Sequence, residues 1–467
     1  MYQLKKKAST SNTLSEKLTD FVTNLKYEAI QDEALKNAKY HVLDTIGISI
    51  AASTSDTAQT VKNVMRKLGT TSESTVIGSQ EKFSAAAAAM ANSTMAHGPD
   101  FDDTHGGSVV HVSSVVVPAS LAVAESVKAS GKDYLTAVMA GYEVTNRLGM
   151  VAPGNYHARG FHTTALLGGF GSAVMTGKLK GLSPSVITHA LGICGSQASG
   201  IIEFLSNGSS LKQMQPGWSA YSGIIAAMLA EEGMTGPLSV FEGRYGFFNS
   251  YLYQTDHDQN KVLEGLNEVW EVNDIAYKLY PCCHHTQAFL DCTKQIRNEE
   301  DFRLEEIEEI KCIISPKQAE IICSPLEEKY EPKTPYDAKF SLPYVLSVML
   351  HRGQCGLGDF TGEIIKDESV LRLARKFTYI TSEETGYPGA FPGWVKIKLK
   401  DGRVLERRMK TNRGGRENPA SEAEIIGKFE NNASSVLSSD KVSRIKELVL
   451  NVEKVKDVSE ITKYMQA

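Results

Sequence analysis

The chain has 467 residues, of which 42% are hydrophobic and 22% charged, enough apolar material for a large core divided between two domains. Its 50 Lys+Arg against 55 Asp+Glu give a formal net charge of -5, and without a basic run to track a phosphate backbone, nucleic acid is not an expected partner. The 7 cysteines are irregularly spaced and odd in number, which gives no disulfide framework and points to a reducing compartment, by default the cytoplasm.

The first stretch, "MYQLKKKASTSNTLSEKL", carries positive charge with no apolar run behind it, so it reads as a frayed tail and not as a secretory signal. Leu14, Leu18, Phe21, Val22 and Leu25 then repeat at helical spacing, as do Ala34, Leu35, Ala38, Val42 and Ile46. Helical patterns continue over 84–97, 120–131, 134–150, 164–181, 186–200 and 219–233, with interiors crowded by Ala, Gly and Ser that permit close helix contacts. The most apolar stretch, 109–124, is interrupted by His111, serines and Pro118; it is too short and too polar to span a bilayer and predicts a buried helix. After residue 270 the texture changes. Residues 307–315 and 394–410 alternate with period two, the second folding back at Asp401-Gly402 as a hairpin. Helical spacing returns over 418–434 and 441–455. A mainly α protein is therefore expected: a large helical domain over 1–270, a smaller α+β domain over 271–405, and C-terminal helices over 406–467 that pack back on the helical domain, making the α+β part an insertion.

The densest cluster of ionisable groups is "HGPDFDDTHGGSVVH" (97–111). Zinc sites favour a short-spaced ligand pair plus a distant third, and His105 and His111 have no such spacing. In "YPCCHHTQ" (280–287) the donors stand in immediate succession, where adjacent side chains diverge. No metal is expected. Asp100, Asp102 and Asp103 suit capping and turn formation where no phosphate-binding loop is present, and "GGFG" (168–171) lacks the third glycine of a dinucleotide fingerprint and reads as tight helix packing. Cys282 and Cys283 read as a buried, inert pair. Acid/base chemistry remains: Asp and His close together in a loop entering a helix supply a tunable proton donor or acceptor. Two further segments fit it. "ARGFHTT" (158–164) puts His162 before an apolar helix, and Lys212 stands in the Gly/Ser-rich stretch 206–223, read as a loop before another helix. A histidine and a lysine at helix entrances suit the carboxylates of a small acid.

The segment "DFDDTHGGSVVHVSSVVVPASLAVAE" resembles the hallmark of the MmgE/PrpD family, which contains 2-methylcitrate dehydratase and cis-aconitate decarboxylase. So do, in order, "GFHTTALLGGFGSAVMTGKLKGLS", "LKQMQPGWSAYSGIIAAMLAEEGMTGPLSVFEGRYGFF", "YKLYPCCHHTQAFLD", "PYDAKFSLPYVLS" and a late "ENP". The resemblance implies a helical domain built from both chain ends, an inserted lid, a homodimer, and action without metal or organic cofactor on a small di- or tricarboxylic acid held between the two parts. By position the family's site residues fall on Asp100, Thr104, His111, His162 and Lys212, with Lys278 and the segment containing Cys283 and His284 on the lid side. Gln215 stands where many members have histidine, Cys283 where animal decarboxylases carry a lid histidine, and the lid tyrosine of decarboxylases corresponds to Tyr330 or Tyr336.

The expected roles follow from chemistry. His111 and His162 move protons and contact carboxylate, Lys212 binds carboxylate, and Asp100 with Thr104 orients His111. Dehydration of a 2-methylcitrate-like hydroxy acid is the first expectation. Decarboxylation of cis-aconitate, epimerisation of a small diacid, and carboxylate binding without catalysis are the alternatives.

Overall fold

The helices of the first half are opened by side chains that satisfy otherwise unpaired backbone N–H groups. Thr13 and Glu16 form a reciprocal capping box, and Ser55, Ser84, Ser130 and Ser183 each accept from a backbone N–H in the first turn that follows. The computed structural model describes residues 12–69, 71–387 and 390–467. The expected N-terminal tail lies largely outside the described residues.

Six helices build the part that matters for the site: α1 (Asp32–Ala51), α2 (Ala85–His97), α3 (Ser113–Ser126), α4 (Gly131–Met150), α5 (Thr163–Leu179) and α6 (Leu211–Glu231). Their small residues let backbones touch. A Cβ placed on Gly223 of α6 would lie 2.2 Å from the Gly169 carbonyl oxygen and 2.4 Å from Ser172 Cβ of α5. Helix α3 runs unbroken through Pro118, where the sequence suggested two overlapping stretches, 109–124 and 120–131. Pro118 sits near the helix start, so its missing N–H costs only one early bond. Helix α6 begins earlier than its apolar pattern suggested. Lys212 lies in its first turn and not in a loop, because Pro216 is tolerated so near the start and leaves only the Lys212 carbonyl without its helical partner.

Two short strands, β1 (Thr104–His105) and β2 (Ile275–Ala276), pair antiparallel and tie the 97–111 loop to the segment where the chain changes texture. Beyond it, β3 (Ile307–Ile314), β4 (Phe377–Thr381), β5 (Gly393–Leu399) and β6 (Val404–Met409) form one sheet in the order β4-β3-β5-β6. The β5–β6 hairpin has Lys398 opposite Val404, and its turn contains Gly402 at φ +93°. Strand β4 pairs parallel to β3. Its five residues show no alternation strong enough to single them out, because a strand so short is selected by the partner it meets. Helices α7 (Gln287–Glu299) and α8 (Leu342–Arg352) pack with this sheet, and a Cβ on Gly393 would lie 2.5 Å from the Ala288 backbone.

Buried apolar side chains fall into two main clusters. One gathers residues from Leu18 to Ile275 together with residues from Phe429 to Met465, including helices α9 (Glu422–Ala433) and α10 (Ser439–Leu450). The other gathers residues from Tyr280 to Leu405. Phe429 closes on α1, its Cδ2 2.9 Å from where a Gly47 Cβ would stand. All seven cysteines are free and buried. Among the described residues, no helix is long and apolar enough to cross a membrane.

Gly223→Ala forces a methyl group into the α5 backbone, so a loss of about 3 kcal/mol is expected, read as a lower urea midpoint at unchanged slope.

Candidate active site

Between α2 and α3 the chain buries Asp100, Asp102 and Asp103 within four residues, at 2%, 0% and 1% exposure. Each carboxylate must therefore be matched by donors or cations. Asp100, turned by a left-handed backbone (φ +56°), accepts from Lys212 Nζ at 2.7 Å and lies 3.3 Å from Lys278 Nζ, which also donates to the Asp100 carbonyl at 3.1 Å. Burial alone would raise its pKa, yet the two ammonium groups hold it well below the usual carboxylate range. Asp100 in turn raises Lys212 against the effect of burial. Asp102 accepts from His97 Nδ1 at 2.7 Å and is likewise held ionised, burial being outweighed chiefly by His97. Asp103 accepts from the Ser113 N–H at 3.3 Å and the Ser113 hydroxyl, with His41 Nδ1 2.7 Å away.

This threading brings three imidazoles together. The His97 ring centroid lies 5.1 Å from that of His111 and 5.5 Å from that of His162, and the last two are 6.4 Å apart. Their tautomers follow from their partners. His111 Nδ1 faces the Asp103 carbonyl at 2.8 Å, which can only accept, so the proton is on Nδ1; the Thr104 hydroxyl is 3.0 Å away. Gln215 donates its amide to the Ile201 carbonyl at 2.9 Å, which leaves its oxygen to accept from His162 Nδ1 at 2.7 Å. With Nδ1 of each ring engaged, Nε2 is the atom left for chemistry, and on His97 and His162 it is buried without a partner. Burial, reinforced by the nearby cations, pushes His111 down to about 3 despite Asp102, and holds His162 well below its ordinary value. The site thus presents His111 and His162 as neutral rings. His105, from the same stretch, is a wall residue: its Nδ1 accepts from the Ser108 N–H at 3.1 Å and its Nε2 contacts Glu271 at 3.1 Å.

The second apolar cluster supplies the opposite side. Lys278 is 1% exposed on Asp100, and Cys283 is buried, its thiol pushed up to about 12 first by burial and then by Asp100. His284 is half-buried, its ring 4.5 Å from that of Phe391 and its Nδ1 without a partner. The choice of tyrosine is resolved by geometry. The Tyr330 hydroxyl, at the end of a short helix, donates to the Phe377 carbonyl of β4 at 2.9 Å. The Tyr336 hydroxyl is buried without a partner, and Lys212 Nζ lies 6.0 Å from its ring. The expected roles of Asp100 and Gln215 change as well. Asp100 matches lysines and does not orient His111; Thr104 does so with the Asp103 carbonyl, and the carboxylate within 4 Å of His111 is Asp102, at 3.9 Å. Gln215, engaged at both ends, positions His162.

Sequence reasoning missed His97, Asp102 and Lys339. His97 and Asp102 are separated by Pro99 and a left-handed residue, so their pairing carries no spacing signal. Lys339 donates to the carbonyls of Pro99 and Pro281, and burial lowers it to about 8. It links the Asp100 loop to the Lys278 segment, and its sequence offers no hint of this. Among the described residues, no group of three or more His, Cys, Asp or Glu side chains is placed to hold a metal ion.

Comparison with known families matches residues 16–260 to the MmgE/PrpD N-terminal domain and residues 280–454 to the MmgE/PrpD C-terminal domain. The chain belongs to the MmgE/PrpD family. Family relatives include a cis-aconitate decarboxylase-like protein, oryM, of Aspergillus oryzae, 28% identical over 97% of both chains. The cis-aconitate decarboxylase of Aspergillus terreus is 28% identical over 97% of this chain and 96% of its own. That of Homo sapiens is 28% identical over 96% and 94%. The segment matched to the MmgE/PrpD C-terminal domain includes α9 and α10, whose buried side chains lie in the first cluster.

The neutral rings predict how stability depends on pH in this MmgE/PrpD protein. His111 at about 3, His157 and His285 at about 4, and His162 and His284, also lowered, all refuse protons that the unfolded chain takes up below its ordinary value of 6.5. Stability is therefore lost as pH falls below 6.5, at up to about 1.4 kcal/mol per unit for each ring. Asp44 and Glu143, raised to about 6 and 7 chiefly by burial, act in the opposite sense but are fewer. Melting temperature is expected to drop from pH 7.5 to pH 5; a rise over that range would contradict the neutral rings.

Proposed function

We propose that the chain is a cofactor-independent carboxy-lyase acting on a small tricarboxylate of the cis-aconitate type. The observation that carries this reading is the gathering of three imidazole rings, His97, His111 and His162, with centroids 5.1 to 6.4 Å apart, beside the Lys212–Asp100–Lys278 group, a site with cationic clamps and a proton-carrying base. It is supported by relatives called cis-aconitate decarboxylases that align over nearly the whole length of both chains. Dehydration of a 2-methylcitrate-like acid, the first expectation from sequence, has no comparable support.

In this reading Lys212 and Lys278, with one positive charge in excess over Asp100, and the free Tyr336 hydroxyl hold carboxylates of the substrate. A trianion placed among neutral rings raises their pKa, so binding takes up a proton, and Asp102, 3.9 Å from His111 Nδ1, stabilises the resulting imidazolium. The carboxylate on the saturated carbon leaves as carbon dioxide. The electron pair of the broken C–C bond spreads through the adjacent double bond towards a second carboxylate, and His111 Nε2–H delivers its proton to the far carbon of that allylic anion. Trianion plus proton thus gives dianion plus carbon dioxide. His162, fixed by Gln215, contacts a carboxylate, and His97 lends its ring to the same polar wall.

Incubation with cis-aconitate is expected to release carbon dioxide and a five-carbon diacid, and 2-methylcitrate is expected to gain no conjugated absorbance. His111→Asn and Lys212→Met are each expected to lower kcat/KM at least about a hundredfold. Conjugated absorbance from 2-methylcitrate without turnover of cis-aconitate would replace this reading with dehydration.

The protein is further proposed to act as a homodimer. Leu211, Trp218 and Met228 are exposed on one face of α6, the helix that carries Lys212, and Ile201, Leu205 and Tyr245 are exposed beside them in the chain. Trp218→Glu is expected to halve the mass found by sedimentation; a wild-type monomer would sink the proposal.

A further inference from the structure

A second cleft, of about 890 Å³, opens between the two apolar clusters, and its lining includes none of His97, His111, His162, Lys212 or Lys278. One wall comes from α9 and from Phe101; the other comes from Leu279, Tyr280, Lys294 of α7 and the Gln354–Gly358 turn. We propose that this cleft binds a small organic anion carrying a carboxylate or phosphate group.

The charge of the lining points to an anion. The lining holds the cations Lys294, Arg413 and Lys428 against the single carboxylate of Glu424. Lys428 is spoken for: its ammonium donates to Asp44 and to the Phe101 carbonyl, both at 2.9 Å, and lies 3.8 Å from the Phe101 ring centroid. Arg413 is paired with Glu424 at 2.6 Å, which leaves Lys294 on the exposed rim as the excess positive charge. Asn432, on α9, lines the same cleft at 7% exposure. Its carboxamide adds a neutral hydrogen-bonding group to that wall. The apolar lining from Phe101, Leu279, Tyr280 and Leu357 suits an organic body, and the size lies within the range of about 300–1,000 Å³ usual for small-molecule sites.

The cleft is joined to the first site through one residue. Phe101 stands between Asp100, which holds Lys212 and Lys278, and Asp102, which holds His97. An occupant that fixes Phe101 against both walls fixes the loop that orders the imidazoles, so the cleft is placed to govern the first site without contributing to its chemistry.

Calorimetric titration of the full-length protein with citrate and, separately, with inorganic phosphate tests this. Two binding events are expected for at least one of the two anions. Lys294→Glu and Asn432→Leu are each expected to weaken one event at least about tenfold and spare the other, which Lys212→Met weakens instead. Lys294 is exposed, so its variant is free of core defects, and circular dichroism checks the fold of Asn432→Leu. A response confined to citrate assigns the group as carboxylate, and one confined to phosphate assigns it as phosphate. A single event lost in Lys212→Met, or two events indifferent to Lys294→Glu, overturns the proposal. Failure of the decarboxylase reading is distinguishable: the Lys294-dependent event would persist while cis-aconitate stayed intact.

Discussion

Three carboxylates buried within four residues impose the constraint on which the site depends. A carboxylate out of water is tolerated only when matched, and the matches for Asp100, Asp102 and Asp103 come from far along the chain: Lys212 and Lys278, His97 at the end of α2, and Ser113 at the start of α3. Satisfying them pins α2, α3, α6 and the segment after β2 to one loop. The surrounding cations and buried rings belong to that arrangement, since the lysines that neutralise Asp100 also act on the charge of His111.

The same loop decides which nitrogen of each ring is available. A backbone carbonyl, a carboxylate and a carboxamide oxygen each take an Nδ1 proton, so Nε2 of His97, His111 and His162 is spared. Gln215 shows how a polar side chain shapes such a site through a neighbour: the Ile201 carbonyl fixes its amide, and the amide fixes the ring. Burial then keeps His111 and His162 neutral, each ring holding its one proton on Nδ1.

Small residues make this geometry possible. Helices α5 and α6 meet at Gly169 and Gly223 with no room for a side chain, which brings His162, at the entrance to α5, within reach of Gln215 on α6. Lys339 holds the second cluster to the first through two backbone carbonyls, Pro99 and Pro281. Its position also explains why the loop has polar contacts on each side: the imidazoles and lysines towards one cleft, Phe101 and Lys428 towards the other.

Helical periodicity and small-residue content determined the mainly α architecture, and alternation with a Gly turn determined the β5–β6 hairpin, because both are local consequences of burying one face of an element. Ordered motifs likewise brought His111, His162, Lys212, Lys278 and Tyr336 into consideration. Strand β4, the helical start around Lys212, the pairing of Asp100 with lysines, the anchored Gln215 and the outward Tyr330 were decided only by tertiary structure. So were His97, Asp102 and Lys339. Each of these depends on which distant group lies opposite, and a hydrogen-bond partner hundreds of residues away leaves no trace in local spacing.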